Sequence, residues 1–115
     1  MAADGALLLY TTFPDAETAL TAGEALVRDE LAVCMNVIPG MRSVYRWQGA
    51  VERGAEVVAI IKTRAALRDR VEAGLKARHP YDTPVIRFLP AEADAATLAW
   101  IGAGTGAATG PVTKD

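Results

Sequence analysis

His79 is the only histidine and Cys34 the only cysteine in this chain, and between them they hold its most direct options for metal or covalent chemistry. Imidazole is the commonest protein ligand for copper, and a free thiolate suits Cu(I). A closed protein site takes three or four such ligands. One histidine and one cysteine therefore complete a metal site only where neighbouring copies of the chain bring theirs together. The same pair supplies a nucleophile and a base, with Lys62 to depress the thiol pKa. No third group stands out to orient the base, so the pattern predicts no enzyme. The plainer roles are a Cys34 buried in a strand as a small hydrophobe and a His79 that caps a helix beside Pro80.

Glu56, Lys62, Tyr81 and Trp47 form a second group. Lys62 ends the apolar stretch Ile60-Ile61-Lys62-Thr63, where a charge needs a partner or water. Glu56 opens the same strand on the same face, about 20 Å from Lys62 and too far to pair with it. Each is placed to meet a group on another chain, either as a structural ion pair or as part of a small polar pocket. Tyr45 and Trp47 alternate onto one face of a strand and read as interface anchors. A base-stacking role would need a basic groove beside them.

The elements that must position these residues follow from apolar spacing. Residues 6–12 form a continuous apolar run, the pattern of a strand buried on both faces. Asp15 caps a helix over residues 16–31, with Ala16, Leu20, Gly23, Leu26, Val27 and Leu31 on its inner stripe. Gly23 on that stripe predicts a close approach of helix to sheet. Two long strands follow, over residues 33–47 and 51–62, joined at Gln48-Gly49-Ala50 and interrupted at Pro39-Gly40. At roughly 3.3 Å per residue the first would approach 50 Å if straight, so it bends at Pro39-Gly40 or reaches past its own core. Val57, Ala59 and Ile61 face one way and Val58, Ile60 and Lys62 the other, which suits a central strand. Thr63 is placed to cap a second helix carrying Leu67, Val71 and Leu75, which ends near Arg78 ahead of Pro80. Residues 85–89 give a last strand, halted by Pro90. Residues 93–101 give a short helix anchored by Leu98 and Ile101.

The order β-α-β-β-α-β plus a small helix predicts an α+β, ferredoxin-like split βαβ arrangement with an antiparallel sheet. Its helices cover one sheet face, and a second copy of the chain is the simplest cover for the other face and for the long hairpin. The expected organisation is a single domain over residues 1–102 and a flexible tail over 103–115. Gly102, Gly104, Gly106 and Gly110 fall at intervals that suggest a phosphate loop, but they follow a terminal helix instead of opening one after a strand.

Composition narrows the function class. The formal net charge is -2, and the 12 basic residues form no block, which argues against nucleic acid. No apolar run approaches the roughly 20 residues of a membrane span, and the N-terminus lacks a secretory pattern. With one cysteine and no disulfide framework, the expectation is a cytoplasmic protein.

Five segments taken together resemble the CutA family of divalent-cation tolerance proteins. They are Thr12-Phe13-Pro14-Asp15; Leu31-Ala32-Val33-Cys34-Met35-Asn36-Val37-Ile38-Pro39-Gly40; Ser43-Val44-Tyr45-Arg46-Trp47-Gln48-Gly49; Ile60-Ile61-Lys62-Thr63; and His79-Pro80-Tyr81-Asp82-Thr83-Pro84. The resemblance implies a homotrimer built through the long hairpins, binding of copper or another divalent cation, and no organic cofactor. It also implies ligand pockets in clefts between subunits, for which Cys34, Glu56, Lys62 and Tyr81 are the candidates, with Tyr45 and Trp47 at the trimer interface. Copper ligation in the family is associated with a cysteine at the end of the first strand and two histidines before Pro-Tyr. Thr11 and Arg78 occupy two of those positions here, which leaves His79 as the metal candidate. The rival readings are a small-molecule sensor using the same clefts and a ferredoxin-like hydrolase. The hydrolase wants a phosphate-cradling arginine where this chain has Asp15.

Overall fold

The computed structural model describes residues 4–107. The first strand, β1 (Ala6–Phe13), alternates in burial. Leu7, Leu9, Thr11 and Phe13 are buried, while Leu8, Tyr10 and Thr12 are partly exposed. A strand covered on one face produces this alternation, so the expected burial on both faces does not hold within one chain.

Helix α1 (Ala16–Arg28) starts at Asp15, which is extended at φ -154 and accepts the Thr18 N–H at 2.8 Å. That bond holds the Asp15 carboxyl below the usual carboxylate range. The helix stops three residues earlier than its apolar spacing predicts, because Glu30 turns left-handed at φ 59. The Leu31 N–H then closes onto the Leu26 carbonyl at 2.9 Å. The buried face is Ala19, Ala22, Gly23 and Leu26, so Leu20 and Val27, expected inside, face outward. Small residues on the inner face let the helix settle close to the sheet. A Cβ on Gly23 would come within 2.6 Å of Met35 Sδ, as the close-approach argument anticipates.

Strands β2 (Cys34–Trp47) and β3 (Ala50–Arg64) form the long hairpin. Its turn places Gln48 at φ 49 and Gly49 at φ 82, the primed geometry that matches strand twist. Pairing runs from Cys34↔Lys62 to Ile38↔Val58 and resumes at Met41↔Glu56. Pro39 and Gly40 thus stand against Val57 alone, in a bulge whose Gly40 has φ 86. Bulges of this kind bend a strand and increase its twist, which answers the need for a bend at Pro39-Gly40.

The sheet has four antiparallel strands in the order β2-β3-β1-β4, where β4 is Ile86–Ala91. β3 is central, as its two apolar faces predict. β2 is an edge, which explains why Cys34 is only partly buried instead of sealed in the core. Pro90 does not halt β4: it pairs opposite Leu7, with Ala91 opposite Ala6 beyond it. An edge strand tolerates proline because its outer N–H groups need no ladder partner.

Thr63 lies inside β3, buried, and its hydroxyl donates to the Leu31 carbonyl at 2.8 Å. It caps no helix. A 3-10 turn (Ala65–Leu67) instead leads into α2 (Arg68–Arg78), and the Asp4 carboxylate accepts the Ala66 N–H at 2.9 Å. Leu67, Val71 and Leu75 are fully buried, as their spacing predicts. Helix α3 (Ala95–Gly104) is capped by Asp94. It buries Ile101 but leaves Leu98 part-exposed.

The core joins Leu7, Leu9 and Phe13 of β1 and Val57, Ala59 and Ile61 of β3 to the inner faces of α1 and α2. On the opposite sheet face, the cross-strand registers align Cys34, Lys62, Leu8 and Leu89 in one row and Asn36, Ile60, Tyr10 and Arg87 in the next. Among the described residues, no helix is long and apolar enough to cross a membrane.

Both ends of the described chain meet at Arg64. Its guanidinium pairs with Asp4 and donates to Thr105 Oγ1 at 3.0 Å and to the Gly106 carbonyl. Gly106 N–H in turn donates to the Glu30 carbonyl at 2.8 Å. The segment expected to be a tail from residue 103 is therefore ordered through Gly106, and positions 108–115 lie outside the described residues. Arg64→Ala should cost about 1–3 kcal/mol, the scale for losing charge-assisted hydrogen bonds. Urea unfolding measures that loss, and amide exchange should quicken first at Thr105 and Gly106.

Candidate functional site

The β1–β3 ladder ends at Phe13↔Val57, while β2 and β3 continue as a two-stranded arm. Three segments converge at this corner: the end of β1, the arm at Glu56, and the chain leaving α2 at His79. Pro80 explains the last of these, because a residue before proline is driven out of the helical region. His79 accordingly sits extended at φ -85, ψ 136.

The His79 ring stacks on Phe13 with centroids 4.2 Å apart and 20° between planes. Nε2 lies 2.8 Å from the Thr12 carbonyl and 3.4 Å from Thr11 Oγ1. Nδ1 accepts the Tyr81 N–H at 3.2 Å. A carbonyl only accepts and a backbone N–H only donates, so the tautomer is set: Nε2 carries the proton. Burial pushes the imidazole pKa down, partly opposed by the hydrogen bond to Thr12 and by the Glu56 charge.

Tyr81 continues the cluster. Its ring lies 4.9 Å from that of His79, and its hydroxyl donates to Glu56 Oε2 at 2.9 Å. Ser43 donates to the other carboxylate oxygen at 3.5 Å. Burial first, then the Glu56 carboxylate, push the Tyr81 phenol up to about 12, with smaller contributions from Tyr45 and Asp15. A carboxylate oriented by two hydroxyls, with lone pairs to spare, suits a divalent cation or an ammonium group.

Of the residues expected to share a pocket, the structure brings Glu56 and Tyr81 together and sets Cys34 and Lys62 apart. Cys34 and Lys62 stand opposite each other on the uncovered sheet face, six residues along β3 from Glu56 and about 20 Å away. Cys34 Sγ meets Asn36 Oδ1 at 3.7 Å. His79 packs on Phe13, whose side chain belongs to the opposite, covered face. A Cys34–His79 nucleophile–base pair is therefore not formed within one chain. Ser43, Thr11 and Thr12 join the cluster without having been picked out as site residues. Ser43 opens one of the resemblance segments, but its reach to Glu56 depends on a register that the bulge sets.

The residues present do not fit copper held in the family manner. Both His79 nitrogens are engaged, and Thr11 offers a neutral hydroxyl where a thiolate would serve. The Arg78 guanidinium donates to Asp29 Oδ2 at 3.1 Å and cannot act as a ligand. Among the described residues there is no group of three or more His, Cys, Asp or Glu able to hold a metal ion. Two open depressions of about 440 and 400 Å³ flank α1, one beside Leu20, Val27 and Met35 and the other beside Thr18, Thr21 and Arg78. Neither is lined by Glu56 or Lys62.

The family model described as CutA1 divalent ion tolerance protein matches residues 7–104. The chain is 41% identical over 100 residues to the divalent-cation tolerance protein CutA of Thermus thermophilus, covering 86% of this chain and 97% of that protein. It is 39% identical over 84 residues to the chloroplastic Protein CutA 1 of Oryza sativa subsp. japonica, covering 73% of this chain and 48% of that protein. The crystal structure of the divalent ion tolerance protein CutA1 from Ehrlichia chaffeensis superposes with a TM-score of 0.86 at 30% identity, covering 92% of this chain and all of that one.

A lowered His79 pKa makes stability depend on pH with a definite sign. The unfolded chain takes up the proton near the ordinary value of 6.5, before the folded chain does. The His79 contribution is thus complete above about pH 6.5 and is lost as pH falls from there towards the lower folded value. Urea midpoints at stepped pH should fall more steeply for the wild type than for His79→Gln in that window.

Proposed function

Because the chain belongs to the CutA1 family of divalent ion tolerance proteins, we propose that it acts in divalent-cation tolerance as a homotrimer that binds its ligand between subunits and performs no catalysis. The observation that carries this reading is the arm beyond β1. It presents Val44 at 69%, Trp47 at 58% and Val51 at 66% exposure, and an isolated two-stranded ribbon is at best marginal in water. By the cross-strand registers, Tyr45 and Trp47 share one arm face and Val44 and Val51 the other. Other copies of the chain cover both. The order β2-β3-β1-β4, with α1 and α2 on one face, supports the ferredoxin-like description.

Assembly also supplies what the single chain lacks at the site. Glu56, Tyr81 and Ser43 of one subunit face the cleft, and the Cys34–Lys62 end of a neighbour completes it. The cation is a divalent ion held first by the Glu56 carboxylate, with copper the first to test given the family. The lone, part-buried thiol agrees with work in the reducing cytoplasm.

Calorimetric titration of Cu(II) and Zn(II) into protein of measured solution mass tests the binding. Saturable uptake with a fixed stoichiometry per trimer is expected, lost in Glu56→Gln and kept in His79→Gln. Uptake that survives Glu56→Gln, or no uptake of either ion, removes Glu56 as the metal site. The second result returns the clefts to a small-molecule ligand.

A further inference from the structure

We infer that His79 is a positioning residue in this chain, whose imidazole is committed to holding the Tyr81 phenol on Glu56, and that it is not a metal ligand. This stands apart from the trimer reading, because every residue involved lies within one chain.

A neutral imidazole has one N–H and one lone pair. Here the N–H goes to the Thr12 carbonyl at 2.8 Å and the lone pair to the Tyr81 N–H at 3.2 Å. A metal at Nδ1 has to displace the Tyr81 amide. A metal at Nε2 has to remove the proton that bridges to Thr12. Phe13 covers one face of the ring, and His79 as a whole is only 9% exposed. The neighbours offer no replacement donor set: Thr11 contributes a fully buried hydroxyl, and Arg78 brings a positive charge one residue away.

The same bonds give the ring a positive role. His79 fixes the Tyr81 backbone through Nδ1 and lies beside the Tyr81 ring at 4.9 Å. The phenol then reaches Glu56 Oε2 at 2.9 Å, and Ser43 steadies Oε1. The chain of contacts runs from Phe13 through His79 and Tyr81 to the carboxylate. Glu56 is oriented by a residue it does not touch.

Nitrogen-15 NMR of the imidazole in the wild-type protein tests the first half. The expected result is a neutral ring protonated at Nε2, unchanged by one equivalent of Zn(II) or of Cu(I) under reducing conditions. A metal-induced shift at either ring nitrogen, or loss of the Nε2 proton, would overturn it. Metal bound elsewhere leaves the ring signals untouched, so failure here is separable from failure of the Glu56 proposal.

Alkaline titration of the Tyr81 phenol, assigned against Tyr81→Phe, tests the second half. His79→Gln, whose amide can donate to Thr12 and accept from Tyr81, should keep the phenol near its native value of about 12. His79→Leu should let it drop towards 10.0, the ordinary value. His79→Asn, too short to reach both partners, gives the same readout should the leucine variant not fold. A phenol unmoved in the Leu or Asn variant, or released in His79→Gln, would end the positioning role.

Discussion

The structure turns on the point where a four-stranded sheet becomes a two-stranded arm. β1 supports β3 only as far as Phe13↔Val57, and the next residue of β3 towards the hairpin turn is Glu56. Inside that boundary, β3 has a strand on each side and a helical layer over one face. Outside it, the hairpin has neither, and its backbone bonds face water on both edges. The bulge at Pro39-Gly40 falls at the same boundary, so β2 changes direction where support ends. The polar cluster sits at this discontinuity, and the exposed Tyr45 and Trp47 lie on the arm beyond it.

The cluster occupies the step because the step leaves room for it. Phe13 ends β1 in the core and offers a ring surface just where α2 delivers His79. Pro80 breaks the helix there, and the imidazole bridges the β1 carbonyl at Thr12 to the Tyr81 amide. Stacking and two hydrogen bonds compensate for holding the ring out of water, and the bond accepted from the Tyr81 N–H needs Nδ1 unprotonated. Glu56, by contrast, is only half-buried, and its carboxylate accepts from the Ser43 and Tyr81 hydroxyls. One corner thus holds a neutral imidazole with no free nitrogen beside an oriented carboxylate with open lone pairs. Those two groups call for different chemistry, and the second is the better place for a cation.

Much of the fold was legible in the sequence, because alternation and caps are local signals. The two largely apolar faces of residues 57–62 announced a central strand, and Asp15 announced the start of α1. The expected stripe turned inward at Gly23, Leu26 and Leu31, but Leu20 and Val27 on its flanks misled, because the small residues Ala19 and Ala22 took the inner face by permitting close packing. Thr63 and Pro90 misled for a related reason. Thr63 suggests a cap and Pro90 a stop, yet sheet pairing overrode both, since the Thr63 hydroxyl found the Leu31 carbonyl and Pro90 fell on an edge. At the site, the resemblance picked out His79, Tyr81 and Glu56, but their relation was hidden. The His79 tautomer depends on Thr12, a partner 67 positions away in the chain. The separation of Cys34 from His79 depends on which sheet face each one meets.

The arm should have no stable place in a lone chain. Sedimentation equilibrium of the wild-type protein beside Trp47→Ala tests it most directly. The wild type should sediment as a single species at three times the 12.1 kDa chain mass, stable on dilution. Trp47→Ala should weaken the assembly by about 3–5 kcal/mol, the scale for truncating a buried aromatic, although Trp47 is 58% exposed in the single chain. A folded wild-type monomer, or a Trp47→Ala protein of unchanged mass and stability, would contradict it.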